Sequence, residues 1–233
     1  MRKLILGLAL AGLIAMPAGA QDGYAGEVNV TGSRANTFDA AVTPHVVLRR
    51  RADNLILEVT VICDTRDPAQ RREELKATLR NMIRAAGRDA GIELGVGDKV
   101  IAPFDETMLD SVIGSASKVD TSSARIQIKT PIGPDDTFDR ASARIAAFIK
   151  STPKDGRTEI LGGNQWNLTL VKPEQYRGEI IALIAKDALG SASAFGAGYG
   201  VSVGGLNLPV TWYRSGPLEL ALYIPYRLEI QPK

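Results

Sequence analysis

The chain has 233 residues, 45% of them hydrophobic, and carries 28 basic and 26 acidic residues with one histidine and one cysteine. A single cysteine excludes an internal disulfide, so the fold must rest on its core, and one His with one Cys would leave a transition metal mostly carboxylates, which suit it poorly. No metal and no cofactor is expected, and the balanced charge excludes a general electrostatic pull toward nucleic acid.

Arg2 and Lys3, the apolar run from Leu4 to Met16 and the small residues Ala18-Gly19-Ala20 stand in the order of a secretory signal, with the mature chain beginning at Gln21. That run is shorter than the roughly 20 residues of a membrane-spanning helix, and no second run of such length follows. A periplasmic or secreted chain without membrane insertion is expected. Without Arg2 and Lys3 the 28 basic residues fall to 26, against 26 acidic, a formal net charge of zero.

Val28 to Gly32 alternates and breaks at glycine, which predicts a first strand. Pro44 to Arg51 and Leu55 to Cys63 are β-rich runs on either side of Ala52-Asp53-Asn54, a spacing that predicts an antiparallel hairpin with Arg49-Arg50-Arg51 at its solvated end. Cys63 closes an apolar run and is expected to be a buried, inert thiol. Asp67-Pro68 supplies an N-cap and a first-turn proline, and Leu75, Leu79, Met82, Ile83 and Ala86 recur at helical spacing to about Gly91. Arg72, Glu73, Lys76, Arg80 and Arg84 mark the solvated side of that helix.

Ile92 to Phe104 predicts one or two short strands broken by Gly95 and Gly97, and Asp105 to Ser123 a long connection with a short helix. Ala124 to Lys129 alternates as a strand. Pro134 and Asp135 open a second helix along Phe138, Ala141, Ile145, Phe148 and Ile149, and Thr158 to Val171 is again β-rich. Strand, helix and strand therefore occur twice, at Leu55 to Phe104 and at Ala124 to Val171. This pattern predicts an α+β fold in which two βαβ-like repeats pack helices on a mainly antiparallel sheet, one domain of two similar halves over residues 21–233.

A third helix starts at Pro173 and runs through Tyr176, Ile180, Leu183 and Ile184 to about Ala194. Gly196, Gly198 and Gly200 follow this helix and precede a strand, the reverse of a phosphate loop, so they are expected to turn the chain. From Leu218 to Ile230 apolar residues occupy every second place, and Pro225 falls within the run, which predicts one long final strand at a sheet edge or with a bulge. Such an edge invites pairing with another subunit.

Candidate chemistry is sparse. Gly200-Val201-Ser202-Val203-Gly204 fits the letters of a nucleophile elbow, but Ser202 lies within a strand, not on a strand-to-helix turn. His45, the one histidine, starts a strand. Ser115/Lys118 and Ser151/Lys154 fit S-x-x-K, which needs both residues on one helix. Asp105, Glu106 and Asp110, and again Asp135, Asp136 and Asp139, crowd segment starts where carboxylates favour helix ends. Of the late aromatic residues, Trp212, Tyr223 and Tyr226 are the candidates for an interface, and Tyr176, Phe195 and Trp212 for a ligand pocket.

VNVTGSR (Val28 to Arg34), LEVTVICDTRDPAQRREELKATLRNMIRAAGRDAGI (Leu57 to Ile92) and LELALYIPYRLEI (Leu218 to Ile230) together resemble the SIMPL-domain family of exported bacterial proteins. The resemblance implies a βαβ-repeat α+β fold, an envelope location, ring-like oligomers in some members and roles in envelope or oxidative-stress protection. It carries no catalytic residues with it. The third helix departs from the pattern in having fewer alanines than the family's long helix. The expectation is thus a non-enzymatic exported envelope protein acting through protein contacts as a homo-oligomer or with an envelope partner; a periplasmic serine hydrolase using Ser115 and Lys118, with Ser202 as a further nucleophile, and a carrier of a small apolar or peptide ligand are the alternatives.

Overall fold

The computed structural model describes residues 27–30, 46–98 and 100–233; the segment expected to be a signal and His45 lie outside them. The protein is α+β, with helices on antiparallel sheets. Its central strands are β3 (Asn54–Cys63) and β7 (Ser122–Pro131), paired antiparallel from Asn54↔Pro131 to Cys63↔Ser122. Their alternation decides the faces: Leu57, Val59, Val61 and Cys63 with Ala124, Ile126 and Ile128 are buried on one side. Glu58, Thr60 and Arg125 lie on the other.

Two helices cover the buried face. α1 (Pro68–Ala86) is capped by Asp67, whose carboxylate accepts from Gln70 N–H, and buries Leu75, Leu79 and Met82. It stops at Ala86, about one turn before the predicted Gly91, where the next N–H groups, of Arg88 and Asp89, close three residues back on Ala85 O and Ala86 O instead of four. β4 (Glu93–Val96) then pairs with β7, and β5 (Ala102–Pro103) with β4. The connection that follows holds a 3-10 turn (Glu106–Met108), α2 (Leu109–Val112) and β6 (Gly114–Ser115), which pairs with the start of β7.

α3 (Phe138–Ser151) begins later than the predicted Pro134-Asp135 start. Thr137 is its cap, while the Asp136 carboxylate turns back to Gly133 N–H (2.7 Å) and to the Arg144 guanidinium (2.8 and 2.9 Å). β8 (Thr158–Val171) pairs with β3 on the side away from β7. Between Leu57↔Trp166 and Val59↔Gly162 β8 holds two more residues than β3, and an even insertion leaves Trp166, Leu168 and Leu170 on the core face. β1 (Glu27–Val30) adds outside β8. The order β8-β3-β7-β4 places one strand of each βαβ unit between the two strands of the other, the split arrangement expected of two such repeats.

The predicted hairpin of residues 44–63 does not form. β2 (Leu48–Arg51) leaves β3 and pairs with β11 (Glu219–Tyr223) in a second sheet, β10-β11-β2, where β10 is Thr211–Arg214. Ala52-Asp53 is the corner between the sheets: Ala52 N–H donates to Leu218 O and Asp53 N–H to Thr169 O, while Asp53 O accepts from Ile132 N–H, each at 2.9 Å. The Asp53 carboxylate also accepts from Val171 N–H at 2.6 Å. Tight-turn residues here make a change of sheet.

The single predicted final strand is two strands. β11 sits in the middle of the second sheet, and β12 (Arg227–Pro232) pairs with β9 (Tyr199–Gly204) in a two-stranded ribbon. Pro225 lies between them, where a missing N–H costs no ladder bond. α4 (Arg177–Ser193), entered through the 3-10 turn Pro173–Tyr176, buries Ile180, Ile184, Ala188 and Ala192. With Leu48, Leu168, Leu170, Leu220 and Leu222, Ile180 and Ile184 form a second core, and Trp166 packs against both cores. Removing the corner carboxylate by Asp53→Ala is expected to lower stability by about 1 kcal/mol, read as a shift in the urea midpoint with an unchanged slope.

Candidate functional site

The catalytic candidates of the sequence are not assembled. Ser115 is exposed on β6 and Lys118 lies in the turn that follows, so this S-x-x-K pair shares no helix. Ser151 ends α3 and donates to Phe148 O, while Lys154 donates to Ile149 O and Thr152 O. Ser202 faces Glu229 in the middle of the ribbon, without the turn an elbow needs. The carboxylate clusters serve the scaffold: Asp105 caps the 3-10 turn through Thr107 N–H, and Asp110 pairs with Arg72 (2.6 Å) and Lys76 (2.7 Å). These two α1 cations clamp α2 and are not merely solvated. Among the described residues no group of three or more His, Cys, Asp or Glu could hold a metal, and no helix is long and apolar enough to cross a membrane.

The glycine-rich stretch after α4 turns the chain. Gly196 has φ +99°, in the left-handed region where glycine is unstrained, and its carbonyl accepts from Tyr199 N–H at 3.2 Å. The arginine run of β2 is dispersed by strand alternation. Arg50 pairs with Glu179 of α4 and lies over the Tyr176 ring at 5.6 Å, while Arg51 donates to Asp136 O. Arg51, Phe138, Arg214 and Glu219 line an open cleft of about 870 Å³. The Arg214 guanidinium is spent on the carbonyls of Trp166, Gly216 and Pro217, and its burial pushes its pKa down.

Cys63 is buried, as expected, but at a polar node. The Glu74 carboxylate accepts from Thr65 Oγ1, from Arg157 N–H (3.1 Å), from Cys63 Sγ (3.3 Å) and from Gln70 Nε2 (2.7 Å). These bonds, the Thr65 hydroxyl foremost and Arg157 N–H next, hold its pKa at about 2. Gly156, at φ +54°, lets the loop before β8 close over this carboxylate: a Cβ there would come within 2.0 Å of Glu74 Cδ. Outside the node, Arg157 makes a two-pronged pair with Asp64 at 2.7 and 3.0 Å. One carboxylate thus joins the end of β3, α1 and the α3–β8 loop.

The aromatic candidates divide. Trp212 and Tyr226 pack against the second core, and burial together with the neighbouring Asp187 carboxylate raises the Tyr226 phenol. Tyr223 stands beside Tyr213 at 6.1 Å on the second sheet. Tyr176 also packs on the second core, whereas Phe195 is 60% exposed and meets Tyr199 at 5.9 Å.

Among the described elements, one that lies open to a partner is the ribbon β9–β12. Val201 and Val203 alternate with Gly200, Ser202 and Gly204, and Leu228 and Ile230 with Arg227, Glu229 and Gln231, so one side lies toward α4 and the other toward solvent. No other described strand pairs with either edge. Exposed apolar groups stand at both ends: Phe195 and Tyr199 at one, and Leu208 at the other, beside Pro225 and Arg227 in a hollow of about 460 Å³. Leu189 of α4 is 66% exposed as well. Neither Leu189 nor Leu208 was singled out by sequence; the available signal was that Leu189 falls off the Ile180-Ile184-Ala188 face.

The fold is an α+β assembly whose split βαβ sheet carries a second, smaller sheet and a ribbon that no other described strand joins. No protein-family model and no curated protein matches the chain.

At the polar node the folded pKa lies below the ordinary carboxylate value. The stabilisation is therefore complete above pH about 4.5 and is lost as pH falls toward about 2. Glu74→Gln is expected to cost about 2 kcal/mol at neutral pH and to flatten the fall in stability between those pH values, followed by urea unfolding across a pH series. Gly156→Ala, which strains the loop and displaces the carboxylate, is expected to cost roughly 1–3 kcal/mol in the same assay.

Proposed function

We propose that this chain is a non-enzymatic exported protein of the bacterial cell envelope that acts through protein contacts, as a homo-oligomer. The observation that carries the reading is the ribbon β9–β12, two strands with both edges unpaired among the described residues and exposed apolar side chains at its ends. A two-stranded ribbon is marginal alone and gains from added strands, and an open apolar edge is the ordinary template for pairing with another chain. The apolar N-terminal run supports export, and the resemblance to SIMPL-domain proteins supports an envelope role in stress protection. That Ser115 and Lys118 stand on a strand and a turn speaks against the hydrolase alternative.

Light scattering after size exclusion on the chain from Gln21 to Lys233 is expected to give a discrete oligomer at micromolar concentration. A monomer across that range would overturn the reading. Labelling by an active-site serine probe that disappears in Ser115→Ala would overturn its non-enzymatic part.

A further inference from the structure

Hydrogen-bond direction along β12 follows from its register. Lys233 N–H donates to Gly198 O at 2.8 Å, and continuing the pairing Arg227↔Gly204 to Pro232↔Tyr199 sets these two residues opposite each other. In an antiparallel ladder, residues pointing to the partner alternate with residues pointing away. Arg227, Glu229 and Gln231 thus turn their backbone groups to β9, and Leu228 and Ile230 turn theirs to the outer edge, which no described strand pairs. Pro232 also points outward and has no N–H to offer.

Building on the proposed oligomer, we infer that β12 pairs antiparallel with β12 of a second copy about a two-fold axis through Leu228, closing a four-stranded sheet β9-β12-β12-β9. Charge order selects this register. Leu228 then faces its own copy, Ile230 faces Tyr226, and Arg227 faces Glu229 of the partner subunit twice over, once on each side of the axis. Both charges are exposed, and neither has an ion-pair partner among the described residues.

The alternatives are worse by inspection. Centring the pair on residue 227 opposes two arginines, and centring it on 229 opposes two glutamates, each unfavourable directly across a ladder. Centring on 230 brings Leu228 against Pro232, where the ladder bond cannot form. Only the pairing about Leu228 matches backbone direction, apolar face and charge together. A self-complementary patch of this kind is what a two-fold interface requires.

The test is charge reversal in the chain from Gln21 to Lys233, with mass and dissociation constant from sedimentation and folding checked by circular dichroism. Arg227→Glu and Glu229→Arg are each expected to weaken self-association at least about tenfold, since each sets like charges opposite one another twice. An equimolar mixture of the two variants, and the double variant R227E/E229R, are expected to associate as the unaltered chain does. Should a reversal unfold the chain, Glu229→Gln provides the reading, with a smaller weakening expected. An unaltered chain that associates with no response to these changes, or a mixture of folded variants that stays apart, overturns this interface and leaves the proposed oligomer standing. An unaltered chain that does not associate overturns both.

Discussion

Asp53 is the point on which the arrangement turns. β2 and β3 are neighbours in sequence with only Ala52 and Asp53 between them, yet one belongs to the second sheet and the other is at the centre of the first. The corner holds because Ala52 N–H and both backbone groups of Asp53 are taken up: Leu218 belongs to the second sheet's side, Thr169 and Ile132 to the first, and the Asp53 side chain reaches Val171. Buried backbone groups without partners are costly, so the corner fixes where the second sheet can lie. Leu48, Leu220 and Leu222 then meet Leu168 and Leu170 below it, and α4 closes that second core. The ribbon β9–β12 is what the chain after α4 has left to do.

This dependence explains which parts were legible in the sequence. Runs whose partners share their own period were read correctly: the β-rich run of β3, the alternation of β7, the Asp67-Pro68 start of α1, and the strand-helix-strand order that became the split sheet. Pairing between distant segments was not legible. Ala52-Asp53-Asn54 has hairpin chemistry, and what overrode it was β11, more than 160 residues away in the chain. The strict alternation from Leu218 to Ile230 likewise describes two strands in two sheets, because a change of sheet at Pro225 preserves the period on either side of it.

The polar node was hidden for a related reason. Arg71, Glu74 and Thr78 form a helical stripe beside Leu75, Leu79 and Met82, and polar residues so placed look solvated. They are buried because a remote loop supplies their partners: Arg157 N–H bonds Glu74 and Asp155 N–H bonds Thr78 Oγ1. Arg71 reaches Thr65 O and Ser122 Oγ in the same way. Charges carry desolvation costs that only such complete networks offset. The node's place in the molecule is at the end of the first core, where it locks α1 to both repeats.

The edges of the three sheets are managed differently, and the contrast bears on where a partner can add. On the first sheet β5 is two residues long and ends in Pro103, and β6 is equally short. The second sheet ends on β10 and on β2, and the Arg50 and Arg51 of β2 are tied to Glu179 and to Asp136 O, so a strand arriving on that side meets charged side chains already in use. Short strands, proline and charge are the ordinary defences of an exposed edge. β12 has one of them, Pro232, and it stands at the end of the strand, where it shortens the window for pairing without closing it. The charges of β12 do not defend the edge either. In the proposed pairing Arg227 and Glu229 repel a copy that arrives in the wrong register and attract one that arrives in the right register, so there charge would act as a selector of alignment.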